Sequence, residues 1–231
     1  MAHALSKARC DAVYSYAGRT QALATQPLPT RIGGFGGAEG LAAYLAHEGV
    51  THVIDATHPF AAGISRNAIA ACASAGVRLA ALERPGWHEE PGDRWTRVPD
   101  YQAAAKVLPG DGATVFLAIG RQNLEPFAGL NQRWLLRFAE PHPHPLAHAE
   151  LICERGPFQV AHDLALMQRH GVTHVVAKNA GGEAARAKLI AARRLGLPVV
   201  MIDRPALPQR QVLTSPPEVM DWLHAGTERG V

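Results

Sequence analysis

The chain has 231 residues, 47% of them hydrophobic and 19% charged, which is the composition of a globular protein and excludes disordered and fibrous classes. A net charge of +3, with Lys and Arg scattered and no aromatics interleaved, argues against nucleic acid but suits a small polyanionic ligand. No apolar run reaches the ~18 residues of a membrane span and no signal peptide is visible, and the odd, widely spaced Cys10, Cys72 and Cys153 read as reduced thiols of a cytoplasmic protein.

Residues 2–8 read as the later part of a helix, and 11–16 alternate like a strand. A nucleotide-binding unit normally opens one strand earlier, with a Gly-rich turn before that helix. The first unit is therefore expected to lack its usual N-terminal strand. After Gly33-Gly-Phe-Gly-Gly37, residues 38–48 form an amphipathic helix with Leu41, Tyr44 and Leu45 on one face. Residues 50–54 are a short buried strand. Residues 59–75 are an Ala-rich helix, with Thr57 placed to cap its start, Pro59 near its first position and Gly76 as its C-cap. Residues 77–82 return as a strand, 85–93 with Trp87 are a surface loop, and 101–107 are a short helix.

The second half opens with a strand at 114–119 that turns at Gly120-Arg121. Strands follow at 134–138 and 150–153, then a helix at 160–170 with Leu164, Leu166 and Met167 on its apolar side. A strand at 172–177, a basic helix at 182–195, a strand at 198–202 and a helix at 218–223 complete the chain.

One repeat organises this list. Gly-Val-Thr-His-Val occurs at residues 49–53 and again at 171–175, and each copy leads through a loop and a helix to an Arg-Pro pair, Arg84-Pro85 and Arg204-Pro205. Two similar strand–loop–helix–strand units follow from this. The predicted fold class is α/β, with two Rossmann-like open parallel-sheet units, the first without its N-terminal strand. A composition shift near residues 91–99 places an N-terminal domain at 1–97 and a C-terminal domain at 98–231.

In open sheets ligands sit beyond the carboxyl ends of the strands. The first repeat strand runs into Asp55-Ala-Thr-His-Pro-Phe60. Helix capping explains Thr57 and Pro59, but not Asp55 and His58 side by side. The second runs into Lys178-Asn-Ala-Gly-Gly182, where paired glycines let amides approach an anion and Lys178 adds a full charge. A phosphate or a carboxylate fits equally. Arg19, in Ala17-Gly-Arg-Thr20 after the second strand position, favours the 2′-phosphate of NADP over a bare ribose. Arg121 suits a substrate carboxylate. His142, His144 and His148 lie in a proline-rich loop without a matching ligand set, so no metal site is expected. No Ser-His-Asp or Cys-His arrangement and no Gly-x-Ser-x-Gly is legible.

Gly33-Gly-Phe-Gly-Gly37, Ile54-Asp-Ala-Thr-His-Pro-Phe-Ala61, Ile64-Ser-x-Asn67, Glu83-Arg-Pro85 with Trp87, Arg155-Gly-Pro-Phe158 and Ala177-Lys-Asn-Ala-Gly-Gly182 together resemble the precorrin-6A reductase family of cobalamin biosynthesis. The likeness covers nearly the whole chain. It departs at the front, where the family's first strand and Gly-Gly-Thr-x-Glu-Ala-like turn are absent. The resemblance implies an oxidoreductase with two Rossmann-like halves that exchange strands. It implies reduction of precorrin-6A to precorrin-6B by hydride from NADPH, with NADH and a cobalt-bearing substrate as the alternative. The implied partners are a tetrapyrrole substrate and neighbouring pathway enzymes, to which product is channelled.

On that reading the catalytic candidates are Lys178 and His58. Substrate contacts fall to Asp55, Thr57, Ser65 and Arg121, and cofactor contacts to Arg19, Thr20, Gly120, Asn179, Gly181 and Gly182. Lys188 joins Arg19, Arg121 and Lys178 as a candidate cation for a many-acid ring. Hydride transfer requires positioning and exclusion of water more than a nucleophile, in keeping with the missing triad. The rival readings are a nucleotide- or anion-binding module without catalysis, since fold does not dictate function, and an α/β methyltransferase. The second is disfavoured because no acidic residue follows a Gly-rich first strand.

Overall fold

The structure is a computed structural model that describes residues 1–18, 25–110 and 112–225. In chain order it contains α1 (Ala2–Lys7), β1 (Tyr14–Tyr16), β2 (Thr30–Ile32), α2 (Gly37–His47), β3 (His52–Asp55), α3 (Ala62–Ala75), β4 (Arg78–Leu82) and β5 (Trp95–Val98). Then come α4 (Tyr101–Val107), β6 (Thr114–Ala118), β7 (Arg133–Phe138), β8 (Ala149–Cys153), α5 (Val160–Arg169), β9 (His174–Lys178), α6 (Ala187–Arg194), β10 (Val199–Ile202), β11 (Gln211–Leu213) and α7 (Pro216–His224). Every strand pairing is parallel, as α/β alternation requires.

The chain divides into two units, Met1–Arg84 with Ala206–Val231, and Pro85–Pro205. The sequence-based boundary at residue 97 falls inside β5, which pairs with β10 within the second unit. The last strand of the chain, β11, pairs with β4 in the first unit. The six-stranded and the three-stranded sheet thus each end in a strand drawn from the other half of the sequence.

The second unit holds one six-stranded sheet in the order β5-β10-β9-β6-β7-β8. Val115, Phe116, Leu117, Leu135, Leu136, Val175, Val176 and Met201 are all buried, so this sheet is covered on both faces. Each such Leu or Phe side chain contributes about 1.5–3 kcal/mol by leaving water. The first unit holds two separate parallel pieces, β1-β2 and β11-β4-β3. In doubly wound order the first strand of a unit joins its second to its fourth. Among the described residues no strand precedes Tyr14. Leu41, Leu45, Ala68, Ala71 and Cys72 seal α2 against α3. Burial pushes the Cys72 thiol up to about 11, which leaves it inert.

Three short strands, β2, β5 and β11, were not predicted. The third helix begins later than the capping residues indicated. Its first residue is Ala62, its N-cap is Ala61, and no side chain caps it, so Thr57 and Pro59 lie in the loop before it. Thr57 Oγ1 donates to the Asp55 carboxylate instead, a stronger acceptor only two residues away. The basic helix is also shorter than expected. Residues 183–185 form one 3-10 turn, and α6 starts at Ala187. Gly76 ends α3 in the left-handed conformation, φ 67°, as predicted for its C-cap.

Candidate functional site

In the first unit, β3 delivers Asp55 to its carboxyl end, buried to 7% exposure. Asp55 Oδ1 accepts from Thr57 N at 3.1 Å and from Thr57 Oγ1 at 2.6 Å, and Thr57 Oγ1 lies 3.5 Å from Ser65 Oγ in the first turn of α3. Three of the four substrate candidates therefore form one polar cluster. His58 stands beside it, exposed, with its Nδ1 accepting from Phe60 N at 3.2 Å. That bond leaves Nε2 as the protonated position of the neutral ring. Arg19 and Thr20 lie outside the described residues.

In the second unit, strand register brings the remaining candidates together. Ala118 of β6 pairs with Ala177 of β9, and Lys178 of β9 pairs with Ile202 of β10. Gly120-Arg121, Lys178-Asn179 and Asp203-Arg204 thus leave three adjacent strands at the same end. An open cleft of about 420 Å³ lies there, lined by Gly86, Trp87, His88, Arg97, Asn179, Asp203 and Arg204, a size in the range of ligand pockets. Arg97 Nε and Nη2 both donate to Asp203 Oδ1, at 2.9 and 2.6 Å. Arg204 donates to the carbonyls of Asn179 and Ala180 at 3.0 and 3.3 Å. Lys178 is partly buried at the end of its apolar strand, and burial lowers its pKa. Arg121 lies away on the exposed surface, its Nη1 3.4 Å from His142 Nδ1.

The turn after Lys178 is built differently from an open anion cradle. Trp87 N donates to Asn179 Oδ1 at 2.7 Å, and Asn179 Nδ2 donates back to Trp87 O at 3.0 Å. Trp87 Nε1 donates to Gly182 O at 3.0 Å. The Asn179 amide thus clamps the 85–88 segment onto the strand end. Gly181 sits at φ 70°, and a Cβ there would lie 2.2 Å from Pro85 O. Gly181→Ala is therefore expected to cost roughly 2–5 kcal/mol, from left-handed strain plus a backbone clash. Urea denaturation of wild type and variant checks this.

Sequence reasoning missed a further group, Arg137 on β7 and Asp163 on α5, paired in the core at 8% and 0% exposure. An Arg inside the apolar run Trp134-Leu-Leu-Arg-Phe138 was the available signal. Lys188, expected to face the ligand, is buried at 6% exposure. It points under Trp87, its Nζ 5.0 Å from the ring centroid.

The model of the family described as precorrin-6x reductase CbiJ/CobK matches residues 1–224. The chain belongs to this family. The precorrin-6A reductase of Rhodobacter capsulatus is 56% identical over 100% of this chain and 94% of that protein. That of Mycobacterium tuberculosis is 40% identical over 86% of this chain and 81% of its own length. A cobalt-precorrin-6A reductase of Priestia megaterium is 30% identical over 80% and 77%. A solved structure described as CobK precorrin-6A reductase aligns with a TM-score of 0.87 at 57% identity, over 92% of this chain and 86% of that one. That agreement establishes the α/β architecture of this precorrin-6x reductase family member. Among the described residues no helix is long and apolar enough to cross a membrane.

Proposed function

We propose that this family member is a precorrin-6A reductase of cobalamin biosynthesis that takes hydride from NADPH and forms precorrin-6B in the cytoplasm. The observation that carries the reading is full-length identity of 56% to a precorrin-6A reductase, against 30% to a cobalt-precorrin relative. The strand ends of the second unit suit an anionic ligand, because Lys178 and Arg204 stand there beside the Gly181-Gly182 turn. Lys178 and the main chain of Gly120 and Gly182 would hold NADPH, which supplies a hydride when bound. Asp55, Thr57 and Ser65, already joined by hydrogen bonds, present hydroxyl and carboxylate groups to the polar edge of a substrate.

Reduction of one double bond consumes one hydride and one proton. Lys178 is the proton source in this account. Its ammonium loses protons more readily because burial disfavours the charge, and it recovers them from solvent. His58 is exposed beside the Asp55, Thr57 and Ser65 cluster and is assigned to orient the ligand. The test is NADPH consumption on addition of precorrin-6A, with NADH and cobalt-precorrin-6A run in parallel. The reading expects the fastest turnover with NADPH and the metal-free ring. Turnover only with NADH or only with the cobalt complex moves the protein to the other branch. No turnover in any pairing contradicts the reductase reading.

A further inference from the structure

Lys188 sits where a charge is costly. It lies on α6 at 6% exposure, and its Nζ donates to Ala185 O at 2.5 Å beneath the Trp87 ring. An ammonium has three N–H groups to satisfy. The charges acting on it are Arg137, Asp163 and Lys178. Arg137 on β7 is paired with Asp163 on α5, Lys178 ends β9, and Glu154 after β8 approaches Arg137 to 3.9 Å. His162 on α5 holds the other oxygen of Glu154 at 2.8 Å. Burial first, then Arg137, lowers the Lys188 pKa to about 7, while Asp163 opposes the fall. A Met would fill the same space without desolvating a charge, so stability alone does not account for a lysine here.

What the lysine touches does account for it. Trp87 is 6% exposed and lines the cleft together with its neighbours Gly86 and His88. The indole is tied to Gly182 O and its backbone to the Asn179 amide. Lys188 supports the ring from the inner side, and its field reaches Lys178 at the strand end. We propose that Lys188 is a positioning residue that acts through Trp87, fixing the 86–88 wall of the cleft for an anionic ligand at the end of β9. This rests on the reductase reading for its kinetic test but not for its spectroscopic one.

The experiment compares wild type with Lys188→Met and Lys188→Arg in the full chain. Lys188→Met is expected to melt at or above the wild-type temperature at neutral pH, yet to raise KM about tenfold, the effect of losing a desolvated cation–π contact. Its kcat should change much less. Between pH 7 and 10 the unfolded wild-type chain binds a proton at this lysine that the folded chain does not, so wild-type stability should rise with pH there. Lys188→Met should lose that rise, and Lys188→Arg should keep a low KM at every pH. Independently of turnover, Trp87 emission should titrate near neutral pH in wild type and not in Lys188→Met, with Trp87→Phe as the control for the other tryptophans. A Lys188→Met protein with wild-type KM and unchanged emission titration overturns the proposal. So does one whose activity falls only in step with its folded fraction. Absence of NADPH turnover in wild type, with the emission titration intact, would count against the reductase reading alone.

Discussion

Asp163→Ala is expected to lower stability by about 3–5 kcal/mol, because removing one partner of a buried ion pair strands the other charge. Asp163 is fully buried and binds Arg137 through both carboxylate oxygens, the second at 3.4 Å. The guanidinium is enclosed by the Phe158 ring at 3.7 Å and the Phe116 ring at 5.0 Å. The Arg137 side chain is only 5% exposed. At roughly 2–4 °C per kcal/mol for a domain of this size, the melting temperature should drop by about 6–20 °C. The double change Arg137→Met with Asp163→Leu should recover much of that loss, since it removes both charges together. Thermal melts of the three proteins decide it. An Asp163→Ala protein within about 1 kcal/mol of wild type would mean the pair is not desolvated as described.

Lys178→Ala is expected to reduce kcat/KM by about 10- to 150-fold, the worth of a hydrogen bond to a charged group. The strand β9 carries Lys178 to its carboxyl end between β6 and β10, and burial already weakens its hold on a proton. Lys178→Arg separates the two roles assigned to it. Arginine keeps the positive charge but does not give up a proton at neutral pH. If Lys178 supplies the proton, Lys178→Arg keeps a KM near that of wild type and loses kcat as fully as Lys178→Ala. If it only balances substrate charge, Lys178→Arg retains most of kcat. Steady-state kinetics on the two variants distinguish these outcomes, and wild-type kinetics in both remove Lys178 from the site.

The contrast between what was readable in the chain and what was not follows the range of the interactions. The core strands β6, β7, β9 and β10 are each built around an apolar run of three or four residues, and such runs announce themselves in a doubly covered sheet. The strand-end rule then singled out Lys178, Asn179 and the glycines of 181–182 as candidates, and β9 does end at Lys178. By contrast β5 reads Trp95-Thr-Arg-Val98 with two exposed positions, and β11 has three residues. Neither is a strand until a distant partner pairs with it, and so the exchange of edge strands was not legible from periodicity. The roles of Asn179 and Gly181 were hidden for the same reason. Asn179 is spent on Trp87, 92 residues away, and Gly181 is small because Pro85 O lies against it. Thr57 was misassigned by a local rule. Its position suited a helix cap, but a carboxylate at Asp55 competes better for its hydroxyl than backbone amides do.

The central claim is that one hydride passes from a reduced nicotinamide to the ring of precorrin-6A on this chain. The most direct measurement uses NADPH carrying deuterium at the transferable position, with the product analysed by mass spectrometry and NMR. The account predicts a product heavier than the substrate by one deuterium and one hydrogen, with deuterium at a single ring carbon and the hydrogen drawn from solvent. A product carrying no deuterium, or deuterium that appears only when the solvent is heavy water, would contradict it.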